Sequence, residues 1–151
     1  MNIIFLDIDG PMIPSAMFLI DQNASYGRKF SPICIAVANE MCRVSNANIV
    51  FNTTHNRDAD ELREAIYTQG LNPGYVHSDS HTRYPNVGRG LAIKEWLANH
   101  PEVERWVAID DVKCADGDNM ILVDPDVGIH VGTLYQVCNV FGGTPPVYLS
   151  Y

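Results

Sequence analysis

The sequence predicts an α/β fold, a mainly parallel sheet with helices on both faces. Three observations predict it. Short apolar runs alternate with stretches of helical periodicity, the pattern of repeated strand–helix–strand units. Three of those runs end in polar or acidic residues, Asp7/Asp9, Thr53/Thr54 and Asp110/Asp111, and a parallel sheet brings such ends to one edge. The chain has 151 residues, 46% hydrophobic and 19% charged, a balance suited to a real core. Residues 1–151 read as a single domain.

The elements follow in order. Ile3 to Leu6 is a short buried strand, broken by Gly10-Pro11. Residues 11–30 mix turn formers with scattered apolar residues and read as a short flap or irregular segment with room for a small hairpin. Ser31-Pro32 is an N-cap followed by proline at the first helical position. The helix it opens carries an apolar stripe at Ile33, Ala36, Val37, Met41 and Val44 and ends near Ser45. Asn48 to Asn52 is a second buried strand. Asp58 to Gln69 is a helix with acids in its first turn and Gly70 as its stop. Tyr75 to His77 is a short third strand, and 78–88 a polar loop. Leu91 to Asn99 is helical, with Leu91, Ile93, Trp96 and Leu97 as apolar contacts. Arg105 to Ile109 is a fourth strand, ending in Asp110-Asp111, and Met120 to Val123 a fifth. Thr133 to Phe141 is the last helix, stopped by Gly142-Gly143. The apolar tail Val147 to Tyr151 reads as a cover for the sheet or a contact with a partner, such as a second copy in a homo-oligomer.

Charge and composition exclude several classes. A formal net charge of −8 argues against a broad nucleic-acid-binding face. No apolar run is long enough to cross a membrane. No basic leader precedes the strand that starts at residue 3, so a cytoplasmic location is expected. The four cysteines, Cys34, Cys42, Cys114 and Cys138, have no zinc spacing and read as reduced, mostly buried thiols. His77 and His81 flank Ser78-Asp79-Ser80, but no third ligand is obvious, and a surface loop is the reading preferred to zinc.

The acid pair carries the chemistry. Alternate strand residues share a face, so Asp7 and Asp9 are expected to point the same way. Two like charges side by side repel unless a cation or a shared proton relieves them. A strand ending in paired acids is therefore a candidate metal and phosphoryl site, placed where open α/β sheets bind ligands. Taken singly, Asp9-Gly10 can be a turn, Thr53 a helix cap, and Asp110-Asp111 the start of a loop. Asp116/Asp118 and Asp124/Asp126 have turn readings too. Their convergence on one sheet edge disfavours the turn reading for the first three groups.

These residues resemble the motifs of the haloacid dehalogenase (HAD) superfamily of phosphotransferases. Asp7-Ile8-Asp9-Gly10 after an apolar strand is similar to its first motif and Thr53 to its second. Arg89, in Gly88-Arg89-Gly90-Leu91, is similar to the third-motif cation, with Lys94 as the alternative. Asp110-Asp111 is similar to the fourth. Three stretches look closest to the small capless HAD domains of RNA-repair multidomain proteins and stand-alone bacterial and phage proteins: Arg89 to Leu97, Val107 to Asp111, and Val123 to Ile129. That group often carries Trp-Arg after its second motif, where this chain has His55-Asn56-Arg57.

The resemblance implies a three-layer α/β/α Rossmann-like HAD core with a mainly parallel five-stranded sheet. The intervals 11–47 and 55–88 leave no room for a folded cap. It implies that Asp7 is the nucleophile, forming an aspartyl-phosphate. Asp9 is then general acid and base, its pKa raised by the neighbouring charge of Asp7. Mg²⁺ would be held by Asp7, the Asp9 carbonyl, and Asp110 or Asp111. Thr53 and Arg89 would hold the phosphoryl oxygens, and Thr54, His55 and Arg57 are candidate substrate contacts. An acid at position 9 favours a phosphoester over a carbon–halogen substrate, because a departing halide needs no proton. The expected substrate is a small phosphometabolite, a nucleotide or a phosphorylated macromolecular end, the last not favoured for nucleic acid by charge. The rival is a catalytically weak HAD-fold protein that binds a phosphate ligand or a partner. A phosphoacceptor signalling domain is disfavoured because Asn52-Thr53-Thr54 stands where its acceptor Asp would be.

Overall fold

A computed structural model describes residues 1–146; the apolar tail lies outside the described residues. Its five strands are β1 (Asn2–Leu6), β2 (Ala47–Phe51), β3 (Val76–His81), β4 (Arg105–Asp110) and β5 (Met120–Leu122). They form one sheet in the order β3-β2-β1-β4-β5, with every pairing parallel. The helices are α1 (Pro32–Ser45), α2 (Ala59–Thr68), α3 (Arg89–Ala98) and α4 (Val131–Phe141).

The sheet is apolar on both faces, which is why β1 reads as a continuous apolar run. Ile4, Leu6 and Ile8 join the larger core with residues of α1, α2 and α4. Ile3 and Phe5 face the other way, against Ile93 and Trp96 of α3. The layers are therefore α1, α2 and α4 on one side and α3 on the other, a three-layer α/β/α Rossmann-like core. The chain reverses its winding between β1 and β4, and this switch point is where open α/β sheets bind ligands. The register places Leu6 opposite both Phe51 and Ile109, so β1, β2 and β4 end level with one another.

Two expectations are corrected, and a third, the irregular 11–30 segment, holds without its hairpin. Residues 78–81 are strand, not loop: Ser78-Asp79-Ser80-His81 extend β3, whose pairing with β2 is irregular. An edge strand tolerates polar side chains because one flank is solvated. On α1 the buried residues are Cys34, Ile35, Val37, Ala38, Met41, Cys42 and Ser45, so Val37 and Met41 of the expected stripe are buried, while Ile33 is 69% exposed and Ala36 is exposed. Contact with α4 and the sheet, not periodicity, selects the face. Among described residues the 11–30 segment forms no hairpin. It is irregular, with a 3₁₀ turn at Ser15–Leu19 and a single bridge between Asp9 and Ile13. The cysteines are free, and all but the half-buried Cys114 are buried.

Candidate active site

Asp7 follows β1 directly, its N–H donating to the Ile109 carbonyl of β4 at 3.1 Å. That bond fixes it at the switch point beside Asp110, the last residue of β4. Asp7 is 4% exposed and Asp110 1%. Oxygens of Asp7, Asp110 and Asp111 lie within 4.8 Å of one another. Burial and the charge of Asp110 push Asp7 up to about 8, against the opposing Ile8 N–H, Arg89 and the Thr53 hydroxyl. Asp110 is raised as well, chiefly by burial, although the Val112 N–H and Arg89 oppose it. These acids are crowded, and their donor atoms are all oxygen.

One cation faces them. Arg89 Nη1 is 2.7 Å from Asp110 Oδ2 and 3.4 Å from Asp7 Oδ2. Arg89 is the first residue of α3, and its guanidinium lies 4.6 Å over the Tyr84 ring, which holds it laterally. Lys94 is exposed on the same helix, in a groove with Lys113 and Cys114. Thr53 is fully buried and hydrogen-bonds Asp7. Asn52 supports the floor from behind: its carbonyl oxygen accepts the Thr82 hydroxyl at 2.6 Å, and its amide donates to the Arg89 carbonyl.

Asp9 is elsewhere. Gly10, at φ +98°, turns the chain sharply, and a Cβ there would sit 2.9 Å from Asp111 Cγ, so the turn demands glycine. β1 ends at Leu6, and the bend at Ile8 separates the two acids that strand alternation would have aligned. The Asp9 carboxylate lies outside the acid cluster. Its Oδ1 accepts the Ser25 hydroxyl at 2.6 Å, and its Oδ2 is 3.1 Å from His55 Nε2. Burial alone would raise its pKa, but the His55 and Ser25 hydrogen bonds outweigh burial and hold it below the ordinary carboxylate value. The expected upward shift of Asp9 is thus corrected: Asp7 takes it instead.

Thr54, His55 and Arg57 share one open groove with Asp9, bounded on the flap side by Phe18 and Tyr26. Ser25, Asn52 and Tyr84 were not anticipated. Asn52 could have been noticed as a polar residue closing a buried strand, whereas Ser25 carries no local signal at all.

The family comparison falls on this arrangement. Residues 3–132 match the family described as the HAD domain in Swiss Army Knife RNA repair proteins. The chain belongs to this family. The matched span includes Asp7, Thr53, Arg89 and Asp110-Asp111, the residues that resemble the superfamily motifs. No curated protein and no solved structure gives a significant match. No helix among the described residues is long and apolar enough to cross a membrane.

Proposed function

We propose that this HAD domain is a Mg²⁺-dependent phosphatase working through an aspartyl-phosphate on Asp7. The observation that carries the reading is the buried Asp7 carboxylate, set at the switch point with Arg89 beside it and two further carboxylates within 4.8 Å. The all-oxygen set of Asp7, Asp110 and Asp111 fits a hard cation, and the raised pKa of Asp7 reflects burial first and then the Asp110 charge, a penalty on the ionised form that such a cation offsets. When bound, Mg²⁺ supplies charge neutralisation and polarises the phosphoryl group.

The chain's own groups do the rest. An Asp7 oxygen attacks phosphorus as the bond to the leaving oxygen breaks. Arg89 and the Thr53 hydroxyl hold the equatorial oxygens. Asp9 gives a proton to the leaving oxygen, then takes one from the water that hydrolyses the acyl phosphate. His55 and Ser25 favour its ionised form, suited to the second half. An incoming anionic phosphoester adds negative charge beside Asp9 and favours the protonated form for the first. The site opens on the Phe18/Tyr26 groove without a folded cap, which suits a phosphorylated small metabolite, a nucleotide or a macromolecular end. The setting we propose is cytoplasmic.

The alternative, a weak or inactive phosphate-ligand or partner binder, draws on the ionised state favoured at Asp9. Phosphate release from a panel of phosphoesters, by wild type and Asp7→Asn with and without Mg²⁺, separates the two. Metal-dependent turnover abolished by Asp7→Asn is expected. Equal turnover by both proteins would overturn the nucleophile, and ligand binding without turnover would favour the binder.

A further inference from the structure

At the opposite end of the sheet from the acids, three potential ligands converge from distant parts of the chain. His77 is the second residue of β3, and His100 and Glu102 lie in the connection from α3 to β4. One ligand atom from each lies within 4.8 Å of the other two. A fourth group adjoins them, since Asp79 Oδ2 is 3.2 Å from His100 Nε2. We infer that His77, His100 and Glu102, with Asp79 beside them, bind a divalent metal of the zinc class. Two imidazoles make this donor set softer than the all-oxygen cluster at the other edge, so it selects against Mg²⁺.

The orientation of His100 supports the inference independently of proximity. Its Nδ1 is 2.6 Å from the Trp96 carbonyl. A carbonyl can only accept, so Nδ1 carries the proton. In the neutral ring, Nε2 therefore aims its lone pair at the Asp79 carboxylate. Lone pair and carboxylate repel unless a second proton or a metal lies between them. A backbone carbonyl on the far nitrogen is the usual support for a metal-bound histidine. The 3.2 Å separation also matches two ligands on one tetrahedral zinc, whose edge is about 3.3 Å at ordinary bond lengths.

The surroundings hold these groups in place. Trp96 stacks on His100 with centroids 3.6 Å apart and planes 8° from parallel, and meets His77 edge-on. Its indole N–H donates to the Asp79 carbonyl. Loading sacrifices one bond. His77 Nδ1 accepts the Asp79 N–H at 2.9 Å, and the ring must turn or shift its proton to present a lone pair. That loss is small against the free energy of a structural zinc. The metal would tie the irregular edge strand β3 to the end of α3.

The test uses the full chain, stripped with chelator and titrated with Zn²⁺ in millimolar Mg²⁺, following bound zinc after desalting together with tryptophan fluorescence. One zinc per chain is expected, with a fluorescence change from Trp96. His100→Asn should abolish retention. Glu102→Gln, at an exposed position where folding is not at risk, should weaken it at least about tenfold. Asp7→Asn, at the other edge, should retain zinc fully. No zinc retained by wild type, retention unaffected by Glu102→Gln and His100→Asn, or loss in Asp7→Asn would each overturn the inference. The first of these outcomes would leave an imidazolium–carboxylate ion pair between His100 and Asp79. The experiment needs no phosphatase activity, so it stands apart from the proposed reaction.

Discussion

Asp7 and Asp9 leave one strand two residues apart and end in opposite surroundings. Asp7 lies on a buried floor with Asp110, Asp111 and Arg89, while the Asp9 side chain is 44% exposed on a rim between His55 and Ser25. The floor raises its acid to about 8, and the rim lowers its own. The same residue type therefore carries opposite shifts because burial among like charges penalises ionisation, whereas hydrogen-bond donors reward it. In the function we propose, the floor accepts a cation and the rim handles protons.

The largest expected effect breaks the floor. Asp7→Asn should abolish turnover and also change the pH dependence of stability. A carboxyl raised from 3.8 to about 8 on folding makes the native state bind more protons than the unfolded chain. Its contribution is then complete below the unfolded value and lost as pH rises through about 8. Denaturant unfolding in EDTA should accordingly show wild type losing stability between about pH 4 and 8, Mg²⁺ restoring it near neutrality, and Asp7→Asn flattening the slope.

Removing the floor's cation comes next. Arg89→Met should lower kcat by about 10²–10³-fold, the usual range for a lost charge-stabilising donor. Arg89→Lys should recover only part of it, because an ammonium is a single point charge facing two acids. The same kinetics on Lys94→Ala should match wild type.

The rim should give smaller, more selective losses. His55→Gln and Ser25→Ala are each expected to lower kcat by about 10–10²-fold on alkyl phosphoesters, whose leaving oxygen needs a proton. Losses on nitrophenyl esters, whose leaving group departs unprotonated, should be much less. Equal losses on both substrate classes would mean that these residues do not serve Asp9. The smallest effect lies outside both regions. Ser31 caps α1 by accepting the Cys34 N–H, so Ser31→Ala should cost about 1 kcal/mol in denaturant unfolding and leave kinetics unchanged.

Legibility in the sequence followed the same division between floor and rim. The strands leading to the floor, β1, β2 and β4, are buried on both faces, so their apolar runs and the polar or acidic residues that end them mark themselves. The rim depends on Ser25, in an irregular segment with no periodicity, and on His55, whose partner is 46 residues away. The polar strand β3 hid for a related reason, since alternation is uninformative where an edge strand has little to bury.

By itself the sequence determined the parallel α/β order, the strand ends that meet at the site, and the family. Those properties rest on local apolar periodicity and on residue types at turns. Tertiary structure alone decided that Asp7 and Asp9 diverge, that Arg89 faces the acids while Lys94 faces solvent, and that His100 and Glu102 come to His77. The reason is physical: a charge state or a ligand set is a property of atoms within a few ångströms, and the chain brings those atoms together across tens of residues.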